Sequence, residues 1–143
     1  MLNSQYGSGA PWLPVLLVIF GLAWGVDGYA SPQSDDSQAV TGLDLITIIM
    51  NYHDIAYMPV DRAKMNRRLF NALKAGGHLV VMDHSAKPGS GISAAKSFHR
   101  IDEKVVLDES RQAGFKLEQE GDFFKNPADP RDQAFFNTKI PDR

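Results

Sequence analysis

Histidine and aspartate stand side by side at two places in this chain. His53-Asp54 and Asp83-His84 each follow a short apolar run. A neutral imidazole can accept a proton near pH 7, and a carboxylate beside it can orient the ring, so such pairs suit general acid–base chemistry. Imidazole nitrogens and carboxylate oxygens are also ligands for Zn²⁺ or Mn²⁺. Metal-dependent hydrolysis by these four residues is therefore a second hypothesis, and hydrogen bonding within turns is the purely structural alternative.

The elements that would position these pairs form a strand, helix, strand unit. The apolar, β-branched run 43–50 predicts a strand covered on both faces. Residues 61–75 predict a crossover helix, because they carry one apolar stripe and are followed by Gly76-Gly77, which would end the helix in the left-handed conformation. A second strand is predicted over 78–83. A right-handed crossover makes the two strands parallel, so both His–Asp pairs are expected at one edge of the sheet.

The rest of the chain predicts supporting structure. A helix is predicted over 102–113, and the alternating residues 115–120 predict a strand with one covered face. A tail with several prolines and aromatic residues follows. His99 and Arg100 precede the helix and are expected to be capping or surface groups. The predicted fold class is α/β, with three strands and a thin core.

Two motifs together resemble a known family. LDLITIIMNYHD, followed by RRLFNALKAGGHLVVMDHSAKPGSG, resembles the second half of class I S-adenosylmethionine-dependent methyltransferases. The similarity is greatest to a bacterial group of predicted methyltransferases that carry NYHD and MDHSAKPGSG. It covers residues 43–143 and implies a partial Rossmann-like methyltransferase sheet, S-adenosylmethionine as cofactor and a small-molecule methyl acceptor.

The resemblance also suggests roles for the residues at the strand ends. His53 is the candidate general base for removing the proton of a hydroxyl or amine acceptor, and Asp54 is expected to support it. Substrate-binding positions are expected among the remaining polar residues that follow the two strands. These are Asn51, Tyr52, Asp83 and His84.

The cofactor side of such an enzyme is not recognisable in the sequence. The family holds its cofactor over a glycine-rich turn after a first strand, whereas Gly7-Ser8-Gly9 follows no predicted strand. The family also adds a last antiparallel strand after the tail, which is not found before Arg143. The sequence therefore predicts an incomplete methyltransferase, with a non-catalytic remnant or interaction module as the alternative.

The N-terminal segment differs in composition from the rest. Residues 1–30 form an apolar leader whose central run, 12–26, is uncharged and has the length of a secretory signal rather than of a typical bilayer span. The leader is expected to be a signal peptide cleaved after Ala30, or a membrane anchor. Residues 31–42 are predicted to be a linker. The expected location is periplasmic or membrane-associated if the leader acts in export, and cytoplasmic otherwise.

Composition limits the classes of partner. All fifteen lysine and arginine residues lie after Thr41, where acidic residues nearly balance them, so a nucleic-acid partner is not expected. The chain has no cysteine, which excludes disulfides and thiol catalysis. A small sheet with exposed edges could also pair with a copy of itself.

Overall fold

The computed structural model describes residues 15–21 and 40–137, with backbone only for 15–21 and for residue 137. The fold is mixed α/β with a small, partly parallel sheet. The described elements, in chain order, are β1 (Val15–Gly21), β2 (Leu43–Ile49), α1 (Tyr52–Tyr57), α2 (Arg62–Ala72), β3 (Leu73–His84), α3 (Ala95–Phe98), α4 (Glu103–Ala113), β4 (Lys116–Gly121) and a 3₁₀ turn (Phe135–Asn137).

The sheet has the strand order β2-β3-β1-β4. β2 and β3 are parallel, as the crossover through α2 predicts, whereas β1 runs antiparallel to both β3 and β4. The two parallel strands therefore end at one edge of the sheet. This arrangement confirms the predicted juxtaposition of the segments that follow 43–50 and 78–83.

The strand β1 comes from the middle of the apolar N-terminal run. Its seven residues lie between β3 and β4, a position where a continuous apolar segment suits a strand with neighbours on both sides. The antiparallel strand in this sheet therefore comes from the N-terminal side of the chain. The rest of the predicted leader 1–30, the Gly7-Ser8-Gly9 segment and most of the predicted linker 31–42 lie outside the described residues.

The glycine pair does not end the helix as predicted. α2 ends at Ala72, and β3 begins at Leu73, which pairs with Leu43. The next pair in the register is Leu45 with His78, so the intervening residues of β3 form a bulge. A Cβ on Gly77 would lie 2.8 Å from the Leu43 carbonyl oxygen, which explains the glycine by close backbone approach rather than by helix termination.

The strand β2 is covered on one face only, which corrects the prediction of a strand buried on both. Ile46 and Ile48 pack towards the hydrophobic core, whereas Leu45 and Ile49 remain 54% and 52% exposed. Within the described part of the chain, β2 has a neighbour on one side only, β3. A continuous apolar run cannot distinguish a central strand from an edge strand of this kind.

The helices α2 and α4 pack against each other and against β3 and β4, respectively. Asp102 caps α4 by accepting a hydrogen bond from the Lys104 backbone N–H, and Gly114 ends it at φ +110°. These bounds confirm the prediction of a helix over 102–113. The core between the helices and the sheet centres on Phe70, Leu79 and Val106. No helix within 15–21 or 40–137 has the length and apolar character needed to cross a bilayer.

Candidate active site

The turn after β2 places His53 and Asp54 on a helix rather than at a strand end. Met50 adopts φ +52°, its N–H donates to the Met82 carbonyl oxygen at 2.7 Å, and α1 begins two residues later. A positive φ is uncommon for a residue that is not glycine, and such strain often lies beside functional groups. The turn places the first residues of α1 beside the carboxyl end of β3.

The structure joins His53 to Asp83 through two hydrogen bonds. The His53 backbone N–H donates to Asp83 Oδ2 at 2.8 Å, and His53 Nδ1 lies 2.6 Å from Asp83 Oδ1. Asp83 Oδ1 also accepts a bond from the His84 backbone N–H at 2.7 Å. Because an ionised carboxylate can only accept hydrogen bonds, Nδ1 of His53 carries the proton that Asp83 accepts, and Nε2 presents the lone pair. Asp83 thus orients the ring, a role that the sequence suggested for the adjacent Asp54.

Opposing effects act on the pKa of His53. Burial lowers it, but the hydrogen bond and charge of Asp83, together with the charge of Asp54, outweigh burial and raise the pKa above its ordinary value. A raised pKa makes the neutral ring a stronger base. The His53–Asp83 pair therefore has the orientation expected of a general base.

His99 joins this site, although the sequence suggested only a capping or surface role. Its Nδ1 lies 3.7 Å from Asp54 Oδ1, and the same oxygen lies 3.4 Å from His53 Nε2. The two imidazoles make an edge-to-face contact with centroids 5.5 Å apart. His99 also adopts the left-handed conformation, at φ +52°. Its placement depends on Ile101, whose N–H donates to the His84 carbonyl oxygen at 2.8 Å and so fixes this segment beside β3.

Two phenylalanines of the C-terminal segment cover the histidines. Phe135 stacks on His84 with ring centroids 3.5 Å apart, and Phe136 packs edge-on against His99 at 5.0 Å. His84, expected to bind substrate, is only 5% exposed beneath Phe135. Phe136 is 73% exposed, so the covered site borders solvent at this point.

A buried ion pair holds that segment in place. Arg100 Nη1 and Nη2 donate to the two carboxylate oxygens of Asp129 at 2.7 and 3.0 Å. Both side chains are completely buried. Arg100 also donates to the carbonyl oxygens of Ser85 and Gln133. The prediction that Arg100 is a surface or capping group is therefore wrong. Its buried guanidinium connects the segment after β4, at Asp129 and Gln133, to Ser85 at the end of β3.

Tyr52 faces the interior rather than a substrate cleft. It is fully buried, and its hydroxyl donates to Glu109 Oε2 at 2.7 Å and accepts from Asn66 Nδ2 at 2.8 Å. Arg62 completes the network through bonds of 2.8 to 3.0 Å to Glu109. These contacts join α1, α2 and α4, so the expectation that Tyr52 binds substrate gives way to a structural role.

Asn51 lies apart from the histidines. It is exposed and lines a cavity of about 730 Å³ between β2 and α2, whereas His53, Asp54, Asp83 and His84 do not line it. The cavity walls are apolar except for Asn51 and Thr47, and no charged side chain lines them. The residues that line this cavity therefore do not fit the ribose hydroxyls and amino-acid group of S-adenosylmethionine by themselves.

The four residues considered for metal-dependent hydrolysis do not converge as one ligand set. Asp83 bonds to His53 Nδ1, and the His84 ring centroid lies 6.0 Å from that of His53. The group that does come together is His53, Asp54 and His99.

Comparison of the chain with family models, with curated proteins and with solved structures finds no match.

Proposed function

We propose that this chain acts on the acceptor side of methyl transfer from S-adenosylmethionine, with His53 as the general base and Asp83 as the residue that orients it. The observation that carries the proposal is the buried His53–Asp83 pair at the carboxyl ends of two neighbouring parallel strands. Open α/β sheets place ligands at this edge. In this proposal the sheet is a partial Rossmann-like methyltransferase sheet, as the sequence resemblance implies.

The chemistry assigned to the chain is proton removal. The Nδ1–H of His53 is held by Asp83, so Nε2 can accept the proton of an acceptor hydroxyl or amine. The negative charge of Asp83 stabilises the imidazolium that forms. General-base assistance of this kind contributes roughly 10²- to 10⁴-fold to a rate. Asp54, 3.4 Å from Nε2, lies where it would contact the acceptor.

The cavity beside β2 offers only two polar side chains, Asn51 and Thr47, so it lacks the groups that would bind the ribose and the amino acid of the cofactor. In this proposal those contacts come from groups outside the cavity.

Calorimetric titration of the full chain with S-adenosylmethionine tests this proposal. We expect saturable binding, and His53→Gln should bind the cofactor equally well because His53 lies on the acceptor side. His78→Gln serves as the matched control, since the His78 side chain is partly exposed and pairs with Glu118. Absence of both heat and a thermal shift at millimolar cofactor would refute methyl transfer by this chain.

A second candidate, a non-catalytic interaction module, is favoured by the outer edge of β2, where the described residues provide no neighbouring strand. This edge presents a seven-residue strand whose outer face carries the exposed Leu45 and Ile49. Edge strands of this kind pair readily with another strand, and the partner we propose is β2 of a second copy, which would extend the sheet symmetrically.

Light scattering distinguishes this candidate. A dimer should become monomeric in Leu45→Lys but not in Phe123→Lys, because Phe123 is equally exposed but follows β4 at the opposite edge of the sheet. A monomeric parent chain at high concentration would exclude the module in this form.

A further inference from the structure

We infer that His53, Asp54 and His99 form a binding site for a divalent transition metal, with Zn²⁺ as the best match. Each residue offers one ligand atom, and these atoms all lie within 4.8 Å of one another. The inference needs only this geometry and does not depend on methyl transfer.

Two of the three separations between ligand atoms are close to those around a tetrahedral ion, and the third is within 4.8 Å. Bonds of about 2.0–2.1 Å at tetrahedral angles separate neighbouring ligand atoms by about 3.3 Å. The observed separations are 3.4 Å from Asp54 Oδ1 to His53 Nε2 and 3.7 Å from the same oxygen to His99 Nδ1. Small side-chain movements would therefore seat the ion, with a fourth position left for water or another ligand.

The surroundings of His53 match those of a metal-binding histidine. Such a residue usually donates its second ring N–H to a carboxylate, which fixes the tautomer and strengthens the ligand. His53 has this arrangement, because Asp83 holds Nδ1 at 2.6 Å and leaves Nε2 facing Asp54.

The charge of the site and its exposure to solvent agree with a bound divalent metal ion. Asp54 and Asp83 together offset the two positive charges of the ion, as a partly buried site requires. The His53 side chain is only 5% exposed, but Asp54 and His99 are 27% and 33% exposed and open a path from solvent. Two nitrogens and one oxygen favour Zn²⁺ over Mg²⁺ or Ca²⁺, which prefer oxygen ligands.

A bound metal would also affect the proposed base. His53 Nε2 has one lone pair, so it cannot hold Zn²⁺ and accept a proton at the same time. Zn²⁺ is therefore expected to block general-base chemistry at His53.

Titration of the chelator-treated full chain with ZnCl₂ tests the inference. We expect one ion per chain, and His99→Ala should weaken binding at least 100-fold, since even loss of an outer-shell partner commonly costs 10- to 100-fold. His78→Ala should bind as the parent does, because the His78 side chain is 42% exposed and pairs with Glu118, away from the three proposed ligands. CoCl₂ should give the intense visible bands of four-coordinate Co²⁺ in the parent and in His78→Ala.

Three outcomes would overturn the site: no binding at one ion per chain, equal affinity in His99→Ala, or equal loss in His78→Ala. Unchanged circular dichroism of His99→Ala would exclude unfolding as the reason for lost binding. A chain that binds S-adenosylmethionine but not Zn²⁺ would refute only this inference, and the converse result would refute only methyl transfer.

Discussion

The buried Arg100–Asp129 pair should be among the most sensitive points of the fold. Both side chains have no solvent exposure, and two hydrogen bonds of 2.7 and 3.0 Å join them. Asp129→Ala would remove the carboxylate that pairs with Nη1 and Nη2 of the buried guanidinium. Removal of one member of a buried pair costs about 3–5 kcal/mol, a large share of a total stability of about 5–15 kcal/mol.

Urea unfolding followed by circular dichroism measures this loss of unfolding free energy. Thermal unfolding measures it as a change in melting temperature, which should fall by roughly 12–40 °C at about 4–8 °C per kcal/mol for a domain near 100 residues. Asp108→Ala is the matched control: it removes a carboxylate that pairs with Lys104 on an exposed helix face, where the expected loss is below about 0.5 kcal/mol.

A double variant separates loss of the charge pair from general damage. Arg100→Met with Asp129→Leu replaces the pair by apolar side chains and should recover most of the stability, because buried ion pairs are often matched by hydrophobic packing. A loss below 1 kcal/mol in Asp129→Ala, or a double variant as unstable as the single one, would refute the reasoning.

Three further predictions concern stability. Tyr52→Phe should lower the free energy of unfolding in urea by about 1–3 kcal/mol, because it removes a buried bond to Asn66 and a partly buried bond to Glu109. Tyr57→Phe removes one exposed bond of 3.2 Å and should cost less than about 0.5 kcal/mol. Similar losses in the two variants would contradict the structural role of Tyr52. The pKa of Tyr52 is raised, mainly by burial. The unfolded chain therefore loses the Tyr52 hydroxyl proton first as pH rises above the ordinary tyrosine pKa of about 10. The contribution of Tyr52 to the free energy of unfolding is complete below that pH and declines above it. Urea unfolding between about pH 8 and 11 should therefore show a decline that is smaller in Tyr52→Phe, and an identical decline would count against it. Gly114→Ala should cost about 1–2 kcal/mol or more, because φ is +110° and the new Cβ would lie 3.0 Å from Phe70; unchanged stability would contradict this geometry.

Local sequence patterns were sufficient for the elements around the crossover. The apolar run 43–50 and the stripe in 61–75 have strand and helix periodicities, and the order strand, helix, strand fixes a parallel pair. The same patterns could not place the ends of the elements. The closure of β3 onto Leu43 requires Gly77 at a tight backbone approach, and this depends on a neighbouring strand rather than on the local sequence.

The carboxylate that orients His53 could not be predicted from the sequence. Asp54 is its neighbour in sequence, but a helix directs successive side chains about 100° apart, so the adjacent carboxylate does not reach Nδ1. Asp83 reaches it because β3 ends beside the first turn of α1. The sequence could place both residues at one edge of the sheet but could not decide which carboxylate orients the ring.

His99 and Arg100 were missed for a related reason. Neither lies in a periodic element, and the backbone bond from Ile101 to His84 that positions them joins residues seventeen apart. The ion pair to Asp129 spans a further twenty-nine positions. Because this pair also binds the segment that carries Phe136 over His99, loss of Asp129 should loosen the cover of the histidine site as well as the fold. The proposed metal ligands and the stability of the C-terminal segment are therefore coupled through Arg100.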